Sequence, residues 1–170
     1  MTQNLVNHQP EWVGISSSIT SIRNKIERVK IFDLPILIQG ENGTGKCHLA
    51  EYIHYQKNQT PNQFFEIDSE TFEEEITAIL HSLTKSNQNQ KIKKDEYRTP
   101  SLSFYIRGIE RIEPAHQRIL LKVISSGTYS SKHSMYDLGS SLFIFSSSLE
   151  LGEKVRKGEF IEDLYSRFST

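Results

Sequence analysis

The stretch Gly40-Glu-Asn-Gly-Thr-Gly-Lys-Cys47 is the most informative segment of this chain. Its first seven residues fit the pattern GxxxxGK, which forms a phosphate-binding loop when it follows a strand and precedes a helix. The glycines allow the backbone to turn tightly and to direct its N–H groups at an anion. Lys46 can reach the outer phosphates of a nucleotide. The stretch therefore favours phosphate binding over a glycine-rich turn without a ligand.

Cys47 occupies the position that follows the lysine of this loop. That position usually carries Ser or Thr, whose hydroxyl holds magnesium, whereas a thiol is a poor ligand for a hard cation. No second cysteine exists, so an intramolecular disulfide cannot form, and no residue pattern supports a redox or nucleophilic role. We interpret Cys47 as a small residue at a helix start.

Short apolar runs alternate with segments of helical periodicity on both sides of the loop. Strands are predicted at residues 35–38, 64–67, 102–106 and 142–145. Helices are predicted from residue 16 to about 32, at 46–55, from 69 to about 83, and at 114–124, 150–157 and 162–168. Residues 85–99 are polar and are predicted to form a long loop or a mobile insertion. This alternation predicts an α/β fold with a parallel sheet covered on both faces.

The composition is that of an ordinary globular protein whose 170 residues suit one domain. Lys and Arg number 20 against 21 Asp and Glu, so no basic field indicates nucleic acid as a partner. The N-terminus lacks the apolar core of a signal peptide, and no apolar run approaches a membrane span. The six histidines show no metal-ligand spacing, so no metal site is assigned. We predict a cytoplasmic protein with no membrane partner.

Several separate blocks of this sequence follow the order seen in one protein family. They are WVGIS at 12–16, IERV at 26–29, LPILIQGENGTGK at 34–46, AEYIH at 50–54, QRILLKV at 117–123 and GEFIEDLYSR at 158–167. From about residue 12 to residue 168 the chain resembles the ATPase domain of sigma-54-dependent transcription activators, bacterial enhancer-binding proteins of the AAA+ class. The resemblance implies a three-layer αβα P-loop NTPase fold, the AAA+ large subdomain, with a mostly parallel sheet.

The resemblance also implies a domain organisation and a set of ligands. A flexible N-terminus, 1–11, would precede the nucleotide-binding domain, 12–170, which lacks the helical lid and the DNA-binding domain that normally follow. The chain is then either a fragment of a longer regulator or naturally short. ATP or ADP is the implied cofactor, and the implied partners are further copies of the chain or the transcription machinery, without direct DNA binding by this segment. The implied nucleotide-binding residues are Val13, Gly14, Gly40, Glu41, Asn42, Gly43, Thr44, Gly45, Lys46 and Cys47.

The chain departs from the family where the third core strand ends. The family reads LFLDEIGDL there, and its Asp and Glu hold magnesium and position the attacking water; this chain reads FYIRGIERI. Arg107 and Gly108 take the two acidic positions, so this Walker B segment is degenerate and gives Mg²⁺ little support. Glu110 and Glu113 lie past the strand end and are not expected to replace the lost acids. Arg107 either pairs with a phosphate or is a solvated or ion-paired residue.

Three further positions differ from the family. The GAFTGA loop that contacts the sigma factor is absent from the corresponding segment, about residues 85–98. Ser148 takes the place of the asparagine that senses the outer phosphate, with a shorter reach. Of the two arginines that act on a neighbouring subunit's nucleotide, the first is replaced by Ile161, and the second is matched by Arg167. Arg167 either reaches a neighbour's nucleotide, as a candidate catalytic residue, or forms an ion pair with residue 162 or 163.

Three functions remain open at this level. The first is a domain that binds nucleotide with weak or no hydrolysis and serves as a regulatory or assembly module in transcription control. The second is a working ATPase that remodels sigma-54 RNA polymerase with rearranged catalytic groups. The third is an oligomerisation or interaction module that does not depend on nucleotide. The sequence favours the first, because loss of both acids removes charge stabilisation and positioning from hydrolysis while the loop still holds phosphates.

Overall fold

A computed structural model describes residues 14–29, 32, 34–58, 63–88, 102–131, 134–139 and 141–168 of the chain. The helices are α1 (Ser17–Val29), α2 (Lys46–Asn58), α3 (Phe72–Gln88), α4 (Pro114–Ser126), α5 (Leu151–Arg156) and α6 (Glu162–Phe168). The strands are β1 (Ile36–Gln39), β2 (Phe64–Asp68), β3 (Ser103–Arg107), β4 (Thr128–Ser130), β5 (Met135–Asp137) and β6 (Leu142–Ser147). Short 3-10 turns at Ser69–Thr71 and Ile109–Arg111 follow β2 and β3.

The main sheet has four parallel strands in the order β1-β6-β3-β2. At the end of β3, Arg107 lies opposite Asp68 of β2 on one side and Ser146 of β6 on the other. At the end of β1, Gln39 lies opposite Ser147 of β6. Because the carboxyl ends of parallel strands meet at one edge of a sheet, the segments that follow β1, β3 and β6 converge there.

Helices cover both faces of this sheet, which confirms the three-layer αβα architecture. Successive side chains of a strand point to opposite faces, so Tyr105 and Ile144 join one core and Phe104 and Phe145 join the other. The first core is closed by α1 and α2, through Ile26, Leu49, Ala50 and Ile53. The second is closed by α3, α4 and α6, through Ile76, Leu80, Leu120, Val123, Leu164 and Phe168.

Several local signals act as the sequence predicts. The Ser16 hydroxyl accepts a hydrogen bond from the Ile19 amide at 3.3 Å and so caps α1. Pro114 occupies the first turn of α4, where its missing N–H costs nothing. The four strands of the main sheet lie where they are predicted, and β3 and β6 run on to Arg107 and Ser147.

Two parts of the fold differ from the expectation. The antiparallel hairpin of β4 and β5 is not predicted, because each strand has three residues, too few for a periodic pattern. The predicted loop at residues 85–99 is wrong for residues 85–88, because α3 continues to Gln88. The last turn of α3 carries no apolar residue, so helical periodicity does not reveal it. The rest of that segment and the predicted flexible N-terminus, 1–11, lie outside the described residues. No helix among the described residues is long and apolar enough to cross a bilayer.

Candidate functional site

The loop between β1 and α2 has the backbone of a phosphate cradle. Gly43 and Gly45 have φ values of +81° and +85°, a region that L side chains rarely adopt. A Cβ added at either residue would meet nothing within 4 Å, so backbone conformation rather than crowding requires glycine there. The Gly40 amide donates to the Ser147 carbonyl at 3.2 Å, which ties the start of the loop to β6. Open space therefore lies over the turn where an anion can approach the amides.

Lys46 is held against this loop by two hydrogen bonds. Its Nζ donates to the Gly40 carbonyl at 2.6 Å and to the Glu41 carbonyl at 2.8 Å. The Thr44 hydroxyl donates to the same Glu41 carbonyl at 2.8 Å, so the loop closes on itself. Because α2 begins at Lys46, the positive end of that helix and the ammonium group meet at the same place.

A cleft of about 380 Å³ opens between this loop and the ends of β3 and β6. The loop and α2 line it with Asn42, Gly43, Gly45, Lys46 and Cys47; the strand ends line it with Tyr105, Arg107, Gly108, Glu110, Arg111, Ser146 and Ser148. The structure thus brings eight of the sequence-predicted residues to one cleft: Asn42, Gly43, Gly45, Lys46, Cys47, Arg107, Gly108 and Ser148. Gly40, Glu41 and Thr44 shape the loop without lining the cleft, Gly14 and Arg167 do not line it, and Val13 lies outside the described residues.

Arg107 is ion-paired at the strand end, as one of the two sequence alternatives expects. Its guanidinium lies 3.1 Å from Asp68 Oδ2 and 3.3 Å from Glu66 Oε1, both on the neighbouring strand β2. Burial alone would raise the pKa of the Asp68 carboxyl, but the Glu70 amide, Arg107 and Arg111 outweigh burial and lower that pKa. The Arg107 side chain is 56% exposed, so each pair contributes only about 0.2–1 kcal/mol.

Arg111 enters the cleft although the sequence gives no signal for it. Its guanidinium lies 3.6 Å from Asp68 Oδ1, 3.4 Å from Glu70 Oε1 and 3.6 Å from Glu110 Oε1. Gly108 has a φ of +69°, and a Cβ added there would lie less than 3.0 Å from three atoms of that guanidinium. Arg111 therefore fills the space that a side chain at position 108 would need.

Glu110 also lies in the cleft, and whether it can replace the lost acids stays a prediction. The 3-10 turn Ile109–Arg111 folds back directly after the strand and buries Glu110 to 6% exposure. Its Oε1 accepts from the Ser148 hydroxyl at 2.6 Å and from the Ser148 amide at 3.2 Å. Its Oε2 is buried and has no hydrogen-bond partner among the described residues. Glu113 is exposed and does not line the cleft.

The charge on Glu110 follows from these contacts. Burial by itself would raise the pKa of its carboxyl, but the Ser148 hydroxyl and backbone amides stabilise the ionised form and lower the pKa. The carboxylate is therefore negative at neutral pH. The hydroxyl of Ser148, the expected sensor of an outer phosphate, donates its hydrogen bond to Glu110.

Cys47 is a protonated thiol in this setting. Burial, together with the nearby Glu66 and Glu51 carboxylates, raises its pKa to about 11. Its Sγ donates to Glu66 Oε2 at 3.6 Å. This supports the interpretation of Cys47 as a small residue at the start of α2 and not as a nucleophile.

The residues of the cleft fit a nucleotide's phosphates better than they fit Mg²⁺. Among the described residues no group of three His, Cys, Asp or Glu side chains is arranged to hold a metal ion. Mg²⁺ prefers oxygen ligands in octahedral geometry, and the described lining offers one carboxylate, Glu110, beside the protonated thiol of Cys47. The glycine turn and Lys46 at the start of α2, in contrast, offer backbone amides and an ammonium group, which are groups that bind phosphate.

Arg167 and His54 lie away from the cleft. Arg167 is exposed on α6, and within the described part of the chain it forms no ion pair with residue 162 or 163. His54 is buried, and its Nδ1 lies 2.7 Å from the Ser103 hydroxyl, which agrees with a structural role. A trans-acting role for Arg167 remains a prediction.

A second groove, about 800 Å³ in volume, lies between α3 and the β4–β5 hairpin. It is larger than the cleft but is lined by three glutamates, Glu70, Glu73 and Glu74, with His81 and His116. Carboxylates repel phosphate groups, so the smaller cleft is the candidate nucleotide site.

The chain is similar to transcription regulators over nearly its whole length. The sequence model of the family described as "Sigma-54 interaction domain" matches residues 12–170. The Nif-specific regulatory protein of Rhodobacter capsulatus is 26% identical over 160 residues, which cover 91% of this chain and 28% of that protein. The anaerobic nitric oxide reductase transcription regulator NorR of Escherichia coli is 26% identical over 168 residues, covering 95% of this chain and 33% of NorR. The chain thus spans about a third of the length of these relatives.

Solved structures show the same fold. NtrX from Brucella abortus, in complex with ADP, superposes with a TM-score of 0.68 at 21% identity, covering 94% of this chain and 36% of NtrX. A RuvB mutant of Thermotoga maritima gives a TM-score of 0.59 at 19% identity, covering 94% of this chain and 45% of RuvB. At these identities the likeness supports the P-loop ATPase fold alone.

Proposed function

The chain belongs to the family of sigma-54 interaction domains, and from this membership we propose that it binds ATP or ADP with weak or no hydrolysis. In this role it is a regulatory or assembly module of a bacterial transcription regulator in the cytoplasm. Its partners are further copies of the chain or the transcription machinery. Sigma-54 contact would have to use a surface other than a GAFTGA loop, since that motif is absent from the sequence.

One observation carries this proposal: the loop keeps its glycines and Lys46, while β3 ends in Arg107 where the resemblance expects the metal-binding acid. The glycine turn and Lys46 supply the groups that bind phosphates directly. Arg107 pairs with Glu66 and Asp68 through solvent-accessible contacts, and neither of those carboxylates lines the cleft. Phosphoryl transfer depends on positioning and on charge stabilisation by metal and base, so hydrolysis loses far more than binding. The NtrX structures in complex with ADP and with ATP add support by analogy.

Glu110 favours a second candidate function, a working ATPase with rearranged catalytic groups. Its carboxylate is ionised, its Oε1 is fixed by Ser148, and its Oε2 has no described partner. A carboxylate at the rim of a phosphate cleft can orient a water molecule. The rate of ATP hydrolysis therefore distinguishes this candidate from the proposed function.

Titration calorimetry and phosphate release on the same sample test both candidates. The wild-type chain should bind ATP and ADP, and Lys46→Ala should weaken binding by about tenfold or more, because a charge-assisted contact to phosphate contributes about 1.5–3 kcal/mol. Lys157→Ala, which removes an exposed lysine outside the cleft, is the matched control and should bind like the wild type. Absence of binding at about 1 mM nucleotide would overturn the proposed function.

Phosphate release by the wild type should be equal to that of Lys46→Ala or barely above it. If the wild type releases phosphate faster and Glu110→Gln abolishes the excess, the second candidate is correct and the proposed function is wrong about hydrolysis.

A further inference from the structure

The described lining of the cleft carries three cations and one carboxylate. The cations are Lys46, Arg107 and Arg111, and the carboxylate is Glu110. The three acids that face the arginines from outside, Glu66, Asp68 and Glu70, are not part of the lining. An anion with several charges, such as a nucleoside diphosphate, therefore enters a cleft whose own lining is positive.

We propose that this cleft binds nucleotide phosphates without a divalent cation, the guanidinium groups of Arg107 and Arg111 supplying the positive charge that Mg²⁺ usually supplies. The inference rests on the proposed function, because it requires that the chain binds a nucleotide. It adds the chemical form of the ligand, the metal-free nucleotide.

Arg111 is free to exchange its present partners for phosphate oxygens. Its three carboxylate contacts are 3.4–3.6 Å long, and its side chain is 43% exposed. The pairs with Asp68 and Glu70 are open to solvent, and ion pairs of this kind are weak and are easily replaced. Glu110 is buried, but its carboxylate keeps the hydrogen bonds from Ser148 when Arg111 moves. A guanidinium also matches a phosphate with two parallel hydrogen bonds, which gives it an advantage over a single carboxylate contact at longer range.

Mg²⁺ finds poor ligands and unfavourable charge in the same place. The position after Lys46 offers a thiol, Cys47, which stays protonated at neutral pH. The strand end offers Arg107 in place of an acid, and the one carboxylate of the described lining, Glu110, has only Oε2 left for a metal ion, because its Oε1 accepts from Ser148. A divalent cation bound with the phosphates would lie among three cationic side chains, which repel it.

Glu110 and Arg111 oppose each other, and this opposition makes the inference testable. Glu110 repels phosphate, and Arg111, whose Nη1 lies 3.6 Å from Glu110 Oε1, offsets that repulsion. Without Arg111, the carboxylate would face the phosphates unshielded and would gain from a metal ion. Without the charge on Glu110, the metal-free nucleotide should bind more tightly.

The test is calorimetric titration of the 170-residue chain with ADP in excess EDTA and in excess MgCl₂. The dissociation constant of ADP in MgCl₂ should be higher than that in EDTA or equal to it within about threefold. Calorimetry resolves a larger difference, since a tenfold change in the dissociation constant corresponds to about 1.4 kcal/mol. A dissociation constant lower in MgCl₂ by more than about threefold overturns the inference and leaves the proposed function standing. Absence of binding in both buffers overturns both.

Three variants separate the charges. Arg111→Gln should weaken ADP binding in EDTA by about tenfold and should make binding tighter in MgCl₂ than in EDTA. Glu110→Gln should tighten binding in EDTA. Arg156→Gln is the control, because Arg156 is 71% exposed, pairs with Glu153 at 3.9 Å and does not line the cleft. If Arg111→Gln binds ADP like the control in EDTA, the Arg111 guanidinium does not replace the metal. Circular dichroism verifies that each variant is folded. If Arg111→Gln is unfolded, Arg107→Gln takes its place in the same test.

Discussion

The substitution Gly108→Ala tests how Arg111 is held in the cleft. Gly108 has a φ of +69°, so a Cβ there costs about 1–2 kcal/mol of backbone strain. The same Cβ would lie less than 3.0 Å from the Arg111 guanidinium, which must move. Moving it breaks the contacts with Asp68, Glu70 and Glu110, and the two solvent-accessible pairs, with Asp68 and Glu70, contribute about 0.2–1 kcal/mol each. We expect a total loss of about 2–3 kcal/mol of unfolding free energy.

Gly158→Ala is a matched control for the backbone part of this cost. Gly158 has a φ of +72°, and a Cβ added there would meet nothing within 4 Å. Its amide donates to the Val155 carbonyl at 2.9 Å, so it belongs to an ordered turn after α5. The control should lose about 1–2 kcal/mol, and the difference between the two variants isolates the displacement of Arg111.

Urea denaturation followed by circular dichroism measures both variants, and ADP titration in EDTA measures the cleft. Gly108→Ala should lose more stability than Gly158→Ala by about 1 kcal/mol and should bind ADP more weakly. Equal losses in the two variants, within about 0.3 kcal/mol, together with unchanged ADP binding, would refute the position of Arg111 over Gly108.

The remaining predictions concern stability, reactivity and pH. Gly127→Ala should lower the free energy of unfolding, measured by urea denaturation, by about 3 kcal/mol or more. Gly127 has a φ of +67°, and the new Cβ would lie 2.8 Å from Gly139 Cα, a backbone atom that cannot rotate away. A loss below about 1 kcal/mol would contradict this packing. At pH 8 the Cys47 thiol should react with a disulfide reagent about tenfold more slowly in the folded chain than in urea. Its pKa is raised from 9.0 to about 11, which lowers the thiolate fraction about a hundredfold, and the greater nucleophilicity of the more basic thiolate offsets about tenfold of that change. Equal rates would contradict the raised pKa. Glu110 has a lowered pKa, so its ionised form stabilises the fold above its ordinary pKa, and this stabilisation is lost as the pH falls through the folded-state pKa. Ser148→Ala should cost about 1–3 kcal/mol at neutral pH and should flatten that acid dependence; an unchanged pH profile would show that the Ser148 hydroxyl does not hold the carboxylate.

The fold was predictable because its signals are local. The run from residue 35 to 38, the glycines of the loop and the helical spacing after Lys46 act through neighbouring residues, and the structure has β1, the turn and α2 in those places. Alternation of apolar strands with periodic helices predicted the parallel sheet, and the hairpin was missed because its strands are too short to show a period.

The candidate site was predictable only in part. The loop residues that line the cleft are predictable from the sequence, because they are neighbours in the chain and therefore lie close together in space. The sequence does not predict that Glu110 and Arg111 line the cleft, because the 3-10 turn after β3 brings both back toward the loop and a turn of three residues shows no periodic pattern. The partners of Arg107 come from β2 and follow from strand register, which pairs Asp68 with Arg107 across the sheet.

By itself the sequence determined the phosphate loop, the layered architecture and the loss of the family's two acids, because residue identity and short-range periodicity are sufficient for those. The tertiary structure decided which charges face the loop: Glu110 inward and fixed by Ser148, Arg111 over Gly108, and Arg107 drawn toward β2. These placements depend on distances between segments far apart in the chain, and electrostatic interaction depends on distance and burial rather than on sequence separation.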